Sequence, residues 1–217
     1  MTDAAALAGI AARRSALYWL LADIVLTCPE RAFVERLQAE LQAAPGEETP
    51  IALRLAAMRS ALPQPDDAAG VERLAVEYTR LFGGLREGYG PPPPFESMQF
   101  VGYEASESME SAINAYAEAG FDLSERGIAP DHLGVELRFM SMLCHREMQA
   151  WRGERSTEAM ETLARQRDFM RRHLEPWAPQ YWTRAVAGAR HDFYRAAATI
   201  ALDAASEDPA LVEELLA

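Results

Sequence analysis

Cysteine is nearly missing from this 217-residue chain: Cys28 and Cys144 stand far apart and match no CxxC spacing. That excludes a disulfide scaffold and a cysteine-built zinc site, and two free thiols read as core residues of a reduced, cytoplasmic protein. Positive charge is also scarce, with 21 Lys and Arg against 33 Asp and Glu and a formal net charge of −12. A nucleic-acid binder needs a basic face to neutralise phosphates, so that class falls away, and with it a transcriptional regulator. An anionic membrane surface repels such a chain too. No apolar run is long enough for a transmembrane helix, and stable membrane insertion is not expected. Arg13-Arg14-Ser15 ahead of an apolar run has the outline of an export leader, but Asp23 interrupts the run and no small-residue cleavage site follows. The segment reads as an amphipathic first helix, and no signal peptide is expected.

Enzyme signatures are missing as well. There is no GxxxxGK[ST] or GxGxxG phosphate loop, no HExxH, no GxSxG, and no Glu three residues before any of the four histidines. Cys144 and His145 are neighbours, so on a helix they point about 100° apart and cannot pair as nucleophile and base. They read as a core thiol and a surface imidazole. No cofactor of its own is expected for the chain.

What is present is helix. No segment alternates with period two and no repeat recurs, so the chain is predicted all-α, a single globular domain of about nine to ten helices. Predicted helices run from about Asp3 to Thr27, from Pro29 through Leu41 to a break at Pro45-Gly46, from a Thr49 cap to Leu62, and from an Asp66 or Asp67 cap to Phe82. Others span Tyr103 to Ala119 with Gly120 as the stop, Pro130 to Trp151, Ser156 to Leu174 and Gln180 to Ser206, with a short terminal helix from Asp208-Pro209. In the fourth, Val71, Leu74, Tyr78, Leu81 and Phe82 form the apolar stripe, and Glu72, Arg73 and Arg80 fall elsewhere. The chain thus divides into an N-terminal helical part (1–82), a Gly/Pro-rich hinge loop (83–102) and a C-terminal helical part (103–217).

Two features carry functional potential. On the helix expected from Pro130, Leu133, Leu137, Met140 and Cys144 mark the core direction, and His132 and Glu136 form an i,i+4 pair at its border. Asp131 beside them suits the positive helix start. One reading has Asp131 capping while His132 and Glu136 satisfy each other; another has a polar binding site near the core. The second feature is "GGLREGYGPPPPFES", residues 83–97. Four prolines form a PxxP ligand for an SH3-like groove, or they stiffen a loop whose carbonyls stay free for a visiting peptide.

Three stretches in order, Glu77-Tyr78-Thr79-Arg80-Leu81-Phe82-Gly83-Gly84, Pro93-Pro94-Phe95-Glu96-Ser97 and Pro130-Asp131-His132-Leu133-Gly134-Val135-Glu136, resemble the TorD/DmsD/NarJ family of molybdoenzyme maturation chaperones. His173-Leu174-Glu175-Pro176-Trp177-Ala178-Pro179 and Phe193-Tyr194-Arg195 fit the same pattern, so the resemblance covers about Tyr18 to Leu202. It implies a non-enzymatic, cytoplasmic, all-helical chaperone. Such a protein binds the twin-arginine leader, the body, or both, of a molybdenum oxidoreductase catalytic subunit, assists cofactor insertion and delays export. The resemblance carries peptide-binding roles to Tyr78, Leu81, Phe82, Pro94, Phe95, Ser97, Asp131, His132 and Glu136. It also allows cofactor-biosynthesis proteins as partners and a monomer or homodimer. Tyr78 and Phe95 stand where some relatives carry Trp, and Leu85 to Gly90 replaces a shorter Gly-Pro-Gly. A receptor for two guanidiniums and an apolar run should offer an apolar groove (Tyr78, Leu81, Phe82, Phe95) with an acidic rim, here Asp131 and Glu136. The alternative is a helical enzyme or cofactor carrier with an internal site around His132 and Glu136.

Overall fold

The computed structural model describes residues 3–42, 49–84, 89–99, 103–122 and 127–217, without the side chains of 103–106. Among these residues every named element is helical: α1 (Ala4–Leu26), α2 (Arg31–Gln42), α3 (Pro50–Ser60), α4 (Ala68–Phe82), α5 (Tyr103–Glu118), α6 (Leu133–Arg152), α7 (Ser156–Phe169), α8 (Ala178–Gly188) and α9 (Asp192–Leu216). A 3-10 turn covers Glu96–Gln99 and a π turn covers Met170–Leu174. The one β feature described is an isolated antiparallel bridge between Phe95 and His132.

Local chemistry sets several boundaries. Thr49 Oγ1 accepts from Ala52 N at 3.2 Å with Pro50 in the first turn, and Asp67 Oδ1 accepts from Gly70 N at 2.9 Å. Gly120 closes α5 at φ +60°, the left-handed conformation that favours glycine. The predicted break at Pro45-Gly46 and the loop residues 85–88 lie outside the described residues.

Four predicted boundaries are corrected, each by a tertiary bond or a local defect. The helix expected from Pro130 starts at Leu133, because the Asp131 carboxylate receives Ser97 N and the cap falls to His132. The helix expected over Gln180 to Ser206 breaks after Gly188. There Gly188 O accepts from Arg80, Arg190 N donates to Glu77, and Phe193 N donates to His191 Nδ1 to restart α9. No separate terminal helix begins at Asp208-Pro209; α9 runs through Pro209, with Asp208 anchored by Arg14 and Tyr18. The Ser156 to Leu174 helix gives way to the π turn after Phe169. Two burial expectations also change. Cys28 is exposed rather than core, and Arg80, expected off the apolar stripe, is nonetheless buried at 5% exposure.

The chain forms two compact units. The first comprises Met1–Asp23, Phe95–Ala178 and Ala205–Ala217; the second comprises Ile24–Pro94 and Pro179–Ala204. One boundary falls at the Pro94–Phe95 bond, inside the 83–102 segment.

In the first unit α6 packs on α7 and is buried without a gap from Leu133 to Ser141. The predicted core stripe is there, but so is every other face. Polar side chains on α6 therefore need partners, since an unpaired buried polar group costs about 1–3 kcal/mol. Arg138 donates to Asp23 at 2.9 Å and Ser141 Oγ to Ser15 O at 2.9 Å. Glu147 accepts from Arg14, Trp151 and Gln166, and Arg14 also grips Asp208 at 2.6 and 2.9 Å.

In the second unit the core gathers Leu74, Leu81, Phe82, Tyr181, Phe193 and Tyr194. Two glycines fit the loop after α4 to it. Gly84 has φ +57°, and a Cβ there would meet Pro93 Cβ at 2.6 Å; a Cβ on Gly90 would lie 1.9 Å from Arg80 O. Glycine permits both approaches, which bring Gly84 against Pro93 and Gly90 against the backbone of α4.

Candidate functional site

In the first unit the segment after the prolines docks on the start of α6. Glu96 N donates to Asp131 O at 2.9 Å, and Ser97 N donates to Asp131 Oδ2 at 3.1 Å. The Phe95 and His132 rings meet edge to face with centroids 5.0 Å apart. His132 Nδ1 accepts from Gly134 N at 3.1 Å, so the imidazole is the helix cap and not a partner for Glu136. Burial holds the His132 pKa down to about 4, against an upward pull from Asp131, so the ring is neutral at pH 7. Phe95, Ser97 and His132 stay half-buried; Asp131 is 1% exposed and Glu136 is 0% exposed.

The i,i+4 pairing expected of His132 and Glu136 does not form, and neither does the acidic rim. Glu136 points inward, close enough to Glu96 of the 3-10 turn to feel its charge, and Glu96 is itself fully buried. Burial first, then the charges of Glu96 and Asp131, raise the Glu136 pKa well above the usual carboxyl range. Glu96 Oε2 receives His173 Nδ1 at 3.0 Å, and His173 Nε2 lies 3.1 Å from Ser111 Oγ. Trp177 Nε1 donates to His173 O at 2.6 Å, inside the motif His173 to Pro179. A run of rings from Tyr116 through Phe139 and Phe169 to His173, at centroid spacings of 4.7 to 4.8 Å, backs the cluster.

In the second unit Tyr78, Leu81 and Phe82 lie at the end of α4. Tyr78 and Phe82 rings are 5.4 Å apart, and Phe82 meets Tyr194 edge to face at 5.8 Å. Tyr78 OH donates to Val25 O at 3.0 Å and Tyr181 OH to Leu81 O at 3.3 Å. Tyr78 is half-buried, while Leu81, Phe82 and Pro94 are buried. Beneath them Arg80 donates twice to Glu77, at 2.7 and 2.6 Å, and reaches Gly188 O at 2.5 Å and Tyr89 O at 3.4 Å.

The nine expected residues therefore fall into two groups. Phe95, Ser97, Asp131, His132 and Glu136 come together in the first unit; Tyr78, Leu81, Phe82 and Pro94 belong to the second. Sequence reasoning missed Glu96 and His173, although both lie inside the quoted motifs, and it missed the buried Glu77–Arg80 pair. An i,i+3 Glu–Arg spacing was the available signal for that pair. Among the described residues no group of three or more His, Cys, Asp and Glu side chains is arranged to hold a metal ion.

Comparison with known proteins completes the picture. The model of the nitrate reductase delta subunit family matches residues 44–182, which span both groups. The chain belongs to this family. Among curated relatives, the chlorate reductase assembly chaperone protein of Ideonella dechloratans is 32% identical over 126 residues, 56% of this chain and 62% of that protein. The selenate reductase assembly chaperone protein of Thauera selenatis is 43% identical over 58 residues, 27% of this chain and 29% of that protein. The matches thus span less than two thirds of the length of either relative, and both relatives are chaperones by name, not enzymes. A crystal structure from Archaeoglobus fulgidus, described as a redox enzyme maturation protein, matches 88% of this chain and 91% of that one, with TM-score 0.51 and 22% identity. That likeness shows a shared all-helical fold. No helix among the described residues is long and apolar enough to cross a membrane.

Proposed function

We propose that this chain is a cytoplasmic, non-enzymatic assembly chaperone for a molybdopterin-containing oxidoreductase. It binds the twin-arginine leader, the body, or both, of the catalytic subunit, assists cofactor insertion and delays export until assembly is complete. The observation that carries this reading is the half-buried junction of Phe95, Ser97 and His132, in a chain whose relatives are named as assembly chaperones. Phe95 and the neutral His132 ring offer an apolar edge, and Ser97 offers a hydroxyl beside it. Tyr78 offers a second half-buried aromatic surface, packed on the Phe82 ring, with Leu81 and Pro94 buried in the same unit. Glu136 is too deeply buried to touch a guanidinium, so the attraction for leader arginines comes from the net charge of −12. The segment 83–102 serves as the hinge that presents Phe95 and Ser97.

Calorimetric titration with synthetic leader peptides from adjacent oxidoreductase genes tests the reading. Binding should weaken when the arginine pair is removed, chiefly through slower association at low salt, the loss expected for attraction by net charge. If no leader binds, the leader-binding role is lost while family membership stands.

A further inference from the structure

The buried carboxyl cluster in the first unit poses a problem that the chaperone reading does not use. Four carboxyl oxygens, Glu96 Oε1, Glu136 Oε1, Glu136 Oε2 and Asp131 Oδ1, are buried with no hydrogen-bond donor among the described residues. Several donors around them are already committed, although Ser108 Oγ on α5 is itself buried without a partner among the described residues. Ser97 N goes to Asp131 Oδ2 and Glu96 N to Asp131 O. His173 Nδ1 goes to Glu96 Oε2, Tyr116 OH to Pro130 O and Gly134 N to His132. The chain contains no lysine, and among the described residues no arginine pairs with Glu96, Asp131 or Glu136. Two buried ionised carboxylates close enough to feel each other's charge, with no cation paired to them among the described residues, repel each other strongly. A proton removes the conflict: on Glu136 it turns an orphaned acceptor into a donor aimed at Glu96.

We propose that Glu136 and Glu96 share one proton, and that this proton clasps the segment Phe95–Gln99 to the start of α6. Glu136 is then a positioning residue: through Glu96 it holds Phe95 and Ser97 in place without touching a client. That use of the clasped residues rests on the function proposed above; the clasp itself does not. The groups facing the pair come from every element around it: Tyr116 from α5, Asp131 from the residues leading into α6, and His173 from the π turn behind Glu96. The π turn matters here, because an extra backbone residue per turn re-aims side chains, and His173 lies within it. The raised Glu136 pKa agrees with this arrangement. Raising the pH removes the proton from Glu136 and loosens the segment from α6.

The test uses the free, full-length protein, so the absence of a client peptide cannot confuse it. In a sample carrying 13C-labelled glutamate, one side-chain carboxyl should keep the chemical shift of the protonated acid at pH 7, and Glu136→Gln should abolish that signal. Amide hydrogen exchange reads the clasp directly at Glu96 N and Ser97 N, whose acceptors belong to Asp131. Corrected for base catalysis, their exchange in the native protein should accelerate on the order of tenfold as the shared proton is lost. Glu136→Gln keeps an N–H donor toward Glu96 and should hold protection independent of pH; Glu136→Ala should lose it at all pH values. All glutamates ionised at pH 7, or a Gln variant that loosens these two amides as much as Ala does, overturns the proposal.

Discussion

Two buried glutamates, one in each unit, meet the same problem with opposite outcomes. Burial alone would raise the pKa of Glu77, but hydrogen bonds from Arg80 and from Arg190 N, with the Arg80 charge, outweigh it and lower the value. Glu136 is fully buried, has no guanidinium partner among the described residues and has two carboxylates for neighbours, so its pKa rises and it is read as a neutral acid. The residue type is the same and the donors differ. A buried carboxylate is therefore judged by what donates to it: the guanidinium that donates to Glu77 stands three residues away in sequence, whereas Glu96, beside Glu136, comes from a distant segment.

The largest predicted effect lies on the Glu77 side of this contrast. Arg80→Met leaves a buried carboxylate without a cation and leaves Gly188 O and Tyr89 O without the guanidinium; it should cost about 3–5 kcal/mol in denaturant unfolding. Adding Glu77→Gln should restore most of that loss. A single-variant loss below about 1 kcal/mol would mean that the pair is dispensable.

Glu136 should behave in the reverse sense. Its folded pKa lies above the unfolded one, so its stabilising contribution is complete below the unfolded value of about 4.3 and declines as pH rises toward the folded one. Glu136→Gln removes that decline. Thermal melts of the two proteins should diverge with rising pH, the Gln variant gaining on the native chain. Parallel melting curves from pH 5 to 8 would show that Glu136 is not held neutral.

His132 should give a smaller effect. With its folded pKa at about 4, its contribution is complete above the unfolded value of about 6.5 and fades as pH falls toward 4. His132→Asn, which keeps a cap acceptor, should narrow its stability gap to the native protein over that interval. His132→Ala should cost about 1 kcal/mol at pH 7 through the lost cap. The weakest effect is long-range steering by the net charge: association with a leader peptide should slow as salt rises, with dissociation little changed.

The same contrast shows what was legible in the sequence. Helix starts at Thr49 and Asp67 and the stop at Gly120 were readable, because cap and left-handed positions depend on adjacent residues. The all-helical class was readable from periodicity, and the family from ordered motifs that individually say little. The break after Gly188 was not, because Ala187-Gly188-Ala189-Arg190 carries no proline and is interrupted by bonds to Glu77 and Arg80, over 100 residues away. Pro209 misled in the opposite direction: a proline inside α9 is tolerated where Asp208 is anchored by Arg14 and Tyr18. At the site, the expected groove joined Tyr78, Leu81, Phe82 and Phe95 to a rim of Asp131 and Glu136; of these, Phe95 meets the Asp131-His132 segment in the first unit, and Tyr78, Leu81 and Phe82 belong to the second. The division of labour between Asp131 and His132 was hidden, since the choice of His132 over Asp131 as cap depends on Ser97, 34 residues upstream of Asp131.

The central functional claim is that the junction of Phe95, Ser97 and His132 meets the client. Titrating a twin-arginine leader peptide into 15N-labelled protein and mapping the amide shifts tests it most directly. The account predicts saturable shifts concentrated at residues 95–97 and 131–134, with binding weakened by Phe95→Ala. Saturable binding that leaves those amides unmoved and clusters elsewhere would contradict it.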